Sequence, residues 1–275
     1  MTKISDNIYW QMKGEGLFQT LKVDDLRPES NNHISFLHVL NLFDSNKKMD
    51  LGKVQLATLE SIISARAFVS TIHPKTKVDF VSVNTPEDAC LVPDFFMENI
   101  ELERDVTSVG DFSSNYRLPL IFDILNLADS SLSSADTMIF TNTDICLTPS
   151  FYSVVRNLLE LGFDSIIINR RTVHGFDPGN YGAMAVADYG ESHPGLDCFV
   201  FPRSWINDFE GNTACVGSGQ VMRGLLMNLV ARAQSLLVLT EAHLTYHFGD
   251  DRPWLANDRE ELHFHNIRQA EITYN

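Results

Sequence analysis

Apolar and polar positions alternate in blocks along this chain, and the blocks have two different periods. Residues 34–43 read ISFLHVLNLF, a nearly unbroken apolar run that fits a strand buried on both faces of a parallel sheet. After a polar break over residues 44–50, Leu56, Leu59, Ile62, Ile63 and Ala67 recur at helical spacing, which predicts a covering helix over 54–69. A second apolar run at 78–83 completes a strand, helix, strand unit, whose crossover is expected to be right-handed. Residues 88–109 show no clear period. Leu118, Ile121, Phe122 and Leu125 then form one stripe and predict a helix over 116–127.

Met138, Ile139 and Phe140 make a short strand that runs into Thr141, Asn142, Thr143 and Asp144. Thr148 and Pro149 predict the N-cap and first turn of a helix reaching Leu161. Strands at 165–169 and 198–202 flank a polar loop that contains Arg170, Arg171, His174, Asp177, Tyr181, His193 and Asp197. Polar loops of that length between buried elements more often carry function than not. A buried helix at 219–233, a strand at 236–239 and a polar helix at 258–271 capped by Asn257 complete the reading. The alternation of strands and helices predicts an α/β fold with a central, mostly parallel sheet.

Residues 1–32 are polar and punctuated by Gly14, Gly16 and Pro28, and read as an N-terminal extension or edge element; residues 33–275 read as one domain. A chain of 275 residues with 44% hydrophobic content can bury a substantial core. Its net charge of −15 argues against nucleic acid as a partner, because such binding draws on basic surface that releases counterions. An anionic substrate would need local help from a cation or from well-placed arginines.

Cys90, Cys146, Cys198 and Cys215 have no paired spacing and read as structural thiols. No secretory leader is seen at the start, and no run approaches the roughly 18 apolar residues of a membrane span. A cytoplasmic setting is the expectation, with peripheral membrane association and oligomeric state left open.

In open α/β sheets ligands collect beyond the carboxyl ends of the strands, which draws attention to Asn142 and Asp144. Two oxygen-bearing side chains one residue apart suit a hard divalent cation such as Mn²⁺ or Mg²⁺, although Asn and Asp also shape turns and cap helices. Residues 247–254, HFGDDRPW, strengthen the first reading. There His247 offers an imidazole to a cation, Gly249 allows backbone to approach phosphate, and Arg252 can grip phosphate oxygens through two parallel hydrogen bonds.

That run is similar to the HxGxxKPW motif of retaining glycosyltransferases of the glycogenin and lipopolysaccharide-galactosyltransferase type, with Arg252 where the motif usually has lysine. The resemblance implies a GT-A-like nucleotide-sugar-binding fold, in which the family's aspartate-x-aspartate element falls on Asn142 and Asp144. Asn142 departs from it by placing a neutral amide where a carboxylate is usual. The family also uses an arginine near the donor sugar and phosphates, which Arg117 resembles. By analogy with the fold, Asn41, Phe43 and Asn84 would lie near the base and ribose.

The implied reaction transfers a sugar from a nucleotide diphosphate donor, a UDP-sugar, to a carbohydrate or glycoconjugate acceptor with retention. Asp144, Asn142 and His247 would hold the metal, with Arg252 and Gly249 at the diphosphate. Inversion with Asp197 as base, a sugar nucleotidyltransferase and a non-catalytic carbohydrate-binding protein are the alternatives. Asp197, with His193 and Gly195 before it, reads equally as a turn that caps a strand.

Gly217, Ser218, Gly219 and Gln220 read as the start of a helix, Arg170 and Arg171 as paired solvated charges, and His263 and His265 as residues on different helical faces. Phosphate-loop, HExxH, GxSxG and spaced-cysteine motifs are absent from the sequence.

Overall fold

The computed structural model describes residues 10–13, 17–20, 33–44, 49–175, 188–249 and 259–274. In chain order the strands are β1 (Trp10–Lys13), β2 (Leu17–Thr20), β3 (Ser35–Leu40), β4 (Lys77–Asn84), β5 (Glu98–Glu101), β6 (Thr137–Thr141), β7 (Cys146–Leu147), β8 (Ser165–Val173), β9 (Glu191–Pro202), β10 (Ser235–Leu239) and β11 (Thr245–Phe248). The helices are α1 (Met49–Ile72), α2 (Ile121–Asp129), α3 (Phe151–Glu160), α4 (Arg223–Arg232) and α5 (Glu260–Tyr274).

One sheet runs in the order β2-β1-β10-β8-β9-β6-β3-β4-β5. Strands β6, β3, β4 and β5 pair in parallel, and so do β8 and β10. Strand β9 lies antiparallel between β6 and β8 and joins the two parallel groups. Beyond β10, β8 continues and pairs with β11, which in turn pairs with β7.

Strand β3 explains why its sequence shows no alternation. Phe36 and Leu40 belong to a core that includes Ile62 of α1 and Phe151, Tyr152 and Val155 of α3. Leu37 and Val39 point the other way, into a core with Ile121 and Leu125 of α2 and Leu225 and Leu229 of α4. Both faces of the sheet are covered, so both sets of positions must be apolar.

Several element boundaries differ from the sequence expectation for identifiable reasons. Helix α2 starts at Ile121 rather than at 116, because Pro119 disfavours helical backbone in the residue before it. Leu118 instead accepts a hydrogen bond from Val106 N–H, and Leu120 forms a bridge with Cys215. Thr148 is not the N-cap of α3. That helix follows Ser150 without a side-chain cap, and Thr148 N–H donates to the Leu244 carbonyl.

Helix α4 begins at Arg223, and Gln220 before it has a left-handed φ of 67°. The polar loop between the two predicted strands is shorter than expected, since β8 runs on to Val173 and β9 starts at Glu191. Arg170, Arg171, His193 and Asp197 therefore sit on strands. Arg170 and Arg171 are 3% and 6% exposed, so they are not solvated charges. Asp177, Tyr181 and Asn257 lie outside the described residues.

Cys146, Cys198 and Cys215 are buried and Cys90 is exposed, all as free thiols. Among the described residues no helix is long and apolar enough to cross a membrane.

Candidate functional site

Backbone pairing brings the two distant motifs together. Strand β11 pairs antiparallel with β7, with Tyr246 opposite Cys146, and parallel with β8, with His247 opposite Thr172. Because β7 begins two residues after Asp144, this register sets His247 beside the turn that follows β6. His247 Nε2 lies 3.4 Å from Asp144 Oδ2.

The other ring nitrogen fixes the imidazole. Nδ1–H donates to the Gly249 carbonyl at 2.7 Å, which leaves Nε2 directed at the carboxylate. Gly249 supplies that carbonyl from a left-handed φ of 77°, a backbone conformation in which only glycine is unstrained. Its N–H donates to the Val173 carbonyl at 2.9 Å, which ties the motif to the end of β8. A lone pair and a carboxylate oxygen at this distance repel unless a proton or another cation is shared between them.

The charges around this pair are coupled. Burial pushes the Asp144 carboxyl up, but the His247 hydrogen bond and charge, together with Arg170, outweigh it and hold the carboxyl below its ordinary value. For His247, burial and Arg170 act to lower the pKa, while the Asp144 hydrogen bond and charge and the Gly249 carbonyl prevail and raise it. Burial raises Asp197, against the attraction of Arg170.

Arg170 Nη1 donates to Asp197 Oδ1 at 3.4 Å, which links β8 to β9 close enough to Asp144 and His247 for the guanidinium to act on both. Four buried side-chain oxygens in this part of the molecule have no hydrogen-bond partner: Asn142 Oδ1, Asp144 Oδ1, Asn169 Oδ1 and Asp197 Oδ2. Buried polar atoms left in that condition are costly, and a cation or a hydroxyl-rich ligand would satisfy them. Among the described residues no three His, Cys, Asp or Glu side chains form a ready-made metal cluster. A hard cation held there would draw on a mixed donor set, the Asp144 carboxylate and the His247 imidazole 3.4 Å from it, with the unpartnered Asn142 amide oxygen as the third candidate.

The remaining sequence candidates are distributed as follows. Asn41 and Asn84 follow or end the adjacent strands β3 and β4. Asn41 Nδ2 donates to the Val83 carbonyl at 2.6 Å, and Asn84 accepts from Ser82 and donates to Asn99, so both side chains brace the strand ends. Phe43 is 37% exposed, and Gln55 of α1 holds its backbone. Arg117 pairs with Asp105 and Glu87, each at 2.7 Å, which ties it to the turn after β4. Arg252 lies outside the described residues.

Sequence reasoning missed the proximity of Arg170 to Asp144, because the charged end of β8 resembles a loop. The available signal was the β-branched pair Thr172 and Val173, which continues the strand pattern beyond the arginines.

No protein-family model matches the chain, and no match to it is found among curated proteins. Its architecture does superpose on solved structures. Staphylococcus aureus TarS 1–349 in complex with UDP-GlcNAc aligns at a TM-score of 0.50 with 12% identity, over 87% of this chain and 66% of that one. A mycobacterial protein aligns at a TM-score of 0.51 with 10% identity, over 95% and 83%. The chain has a GT-A-like fold. An inositol-1-phosphate CTP transferase from T. maritima is more distant, at a TM-score of 0.44 and 12% identity over 86% and 97%. The chain spans 66% or less of the length of the TarS chains it matches. Within this GT-A-like fold, Asn41, Asn84, Asn142 and Asp144 all lie at or just beyond the carboxyl ends of parallel strands.

Proposed function

We propose that this chain is a metal-assisted glycosyltransferase that moves a sugar from a nucleotide diphosphate donor, a UDP-sugar, to a carbohydrate or glycoconjugate acceptor. The observation that carries the reading is the convergence of Asp144 and His247, 103 positions apart in sequence (247 − 144), to 3.4 Å at the strand ends of a GT-A-like sheet. The binding of UDP-GlcNAc by TarS, which shares the fold, supports the choice of donor class.

Asp144, Asn142 and His247 would hold Mn²⁺ or Mg²⁺. When bound, that ion offsets the charge of a diphosphate leaving group. The chain's own residues do the rest. Arg252 would grip the phosphates and Gly249, with open space where a side chain would stand, would leave room for them, while Asn41, Phe43, Asn84 and Arg117 would shape the nucleotide side. Asp197, paired with Arg170, would meet the hydroxyls of the reacting sugar.

The similarity of HFGDDRPW to the retaining motif supports retention. A competing reading rests on Asp197, whose Oδ2 is buried without a partner and whose carboxyl is raised by burial, both suited to a general base and hence to inversion.

Incubation with a panel of UDP-, GDP- and ADP-sugars and Mn²⁺ tests the proposal through release of free nucleotide. Release with UDP-sugars that chelation abolishes is expected, and the anomeric configuration of the product then decides between retention and inversion. No nucleotide release, together with no Mn²⁺-dependent binding of UDP, would remove the transferase reading. Diphosphate release from a sugar 1-phosphate and UTP would replace it with a nucleotidyltransferase.

A further inference from the structure

Position 38 interrupts the apolar run 36–40 of β3, and its face of the strand is the one packed against α1 and α3. His38 is fully buried, with Nδ1 2.6 Å from the Tyr152 hydroxyl and Nε2 2.9 Å from Thr141 Oγ1. Tyr152 and Thr141 are also fully buried, and Phe80 lies 6.1 Å from the imidazole between ring centres. Burial keeps the ring neutral, with its pKa pushed down to about 3. A neutral imidazole has one N–H and one lone pair, so it satisfies both hydroxyls at once, donating to one and accepting from the other.

The placement of those hydroxyls matters. Thr141 is the last residue of β6, and Tyr152 is the second residue of α3. One ring therefore grips both ends of the segment 142–150, which carries Asn142 and Asp144. The middle of that segment is held separately, by the ladder of β7 with β11 and by Leu147 N–H donating to Ser61 Oγ at 2.9 Å.

Stability alone does not account for the triad, since replacing buried polar groups with well-packed apolar ones is often neutral or stabilising. What a satisfied buried polar network adds is a unique, rigid arrangement.

We propose that His38 is a positioning residue, which clamps the two ends of segment 142–150 so that Asp144 keeps its register with His247. The clamp itself rests on geometry alone; its consequence for ligand binding rests on the function proposed above.

Two readouts separate these claims. The variants are His38→Gln, whose carboxamide can also donate and accept, and the apolar triple His38→Leu/Thr141→Val/Tyr152→Phe, which leaves no orphaned hydroxyl. The triple variant is expected to unfold at a urea midpoint close to that of the native chain. Hydrogen exchange at the backbone amides of 143–146 should nevertheless be at least about tenfold faster, with His38→Gln near the native rate. Native exchange in the triple variant overturns the clamp, whatever the protein's activity.

The second readout is Mn²⁺-dependent UDP binding, expected to weaken roughly tenfold in the triple variant and to recover in His38→Gln, by analogy with outer-shell residues of metal sites. Binding that follows the unfolding midpoint across the variants, rather than the exchange rates, assigns the triad a merely structural role and overturns the positioning claim. If the native chain binds no UDP, the functional reading fails while the exchange measurement still decides the clamp.

Discussion

Asp144 and Arg170 show how the same neighbourhood asks different things of its residues. Asp144 is partly exposed, with 27% of its side chain accessible, and its ion pair with His247 contributes modestly to folding. Asp144→Ala is therefore expected to leave the thermal unfolding midpoint within a few degrees of native, whereas His247→Ala, which empties a buried position and orphans the Gly249 carbonyl, should lower it further; both should lower Mn²⁺-dependent nucleotide release by roughly 100-fold or more. Native release rates from either variant would take that residue out of the site. Arg170 is a fold residue as well, because its guanidinium is buried among carboxylates. Arg170→Met leaves Asp197 buried without its cation and should cost about 3 kcal/mol of unfolding free energy by urea titration. Adding Asp197→Leu should restore most of that loss, and a single variant within ~1 kcal/mol of native would show that water reaches Asp197 after all.

Among the elements, the hairpin-like pairing of β8 with β9 depends on a tight approach at Gly190. With a φ of 65°, this glycine is in the left-handed region, and a Cβ there would lie 2.6 Å from the Thr172 carbonyl oxygen. Gly190→Ala combines backbone strain with a clash against immobile backbone, so a loss of about 2–3 kcal/mol is expected, read from chemical denaturation. A variant of native stability would mean that β9 can start elsewhere.

The same elements explain what the sequence could and could not reveal. Strands β3, β4, β6 and β10 were legible because burial on two faces forces continuous apolar runs. Helix α1 was legible as a helix but not in its buried face: Leu56 and Ile63 of the expected stripe are 59% and 37% exposed, while Val54, Ala57, Ile62, Ala65 and Val69 are buried. Strands β5 and β7 are only four and two residues long, too short for a period, and the polar tips of β8 and β9 carry site residues in place of apolar ones. The Asp144 and His247 motifs were legible as chemistry, but their meeting depends on the ladder between β7 and β11, a non-local pairing with no local signature.

At the scale of the whole molecule, the response to acid should identify His38. Its pKa is near 3 in the folded chain and 6.5 when unfolded, so between those values the unfolded chain binds a proton that the native chain refuses. Stability is therefore unaffected by this group above pH 6.5 and falls as pH drops below it, by up to about 1.4 kcal/mol per pH unit. The other shifted groups behave differently across the upper part of that window. His247, raised when folded, contributes fully below 6.5 and loses its contribution only as pH rises through its folded value. Asp144 and Asp105, lowered when folded, lose theirs only on further acidification through the carboxylate range. Asp197, raised, gains stability on acidification and partly offsets His38 near the lower end. Urea unfolding at pH 6.5, 5.5 and 4.5 should thus show a fall in the native chain that His38→Gln largely abolishes, because Gln makes the same two hydrogen bonds and has no proton to gain. An equal fall in both proteins would assign the acid sensitivity to other groups and would imply that the imidazole can be protonated in place, with its two hydroxyl partners as acceptors.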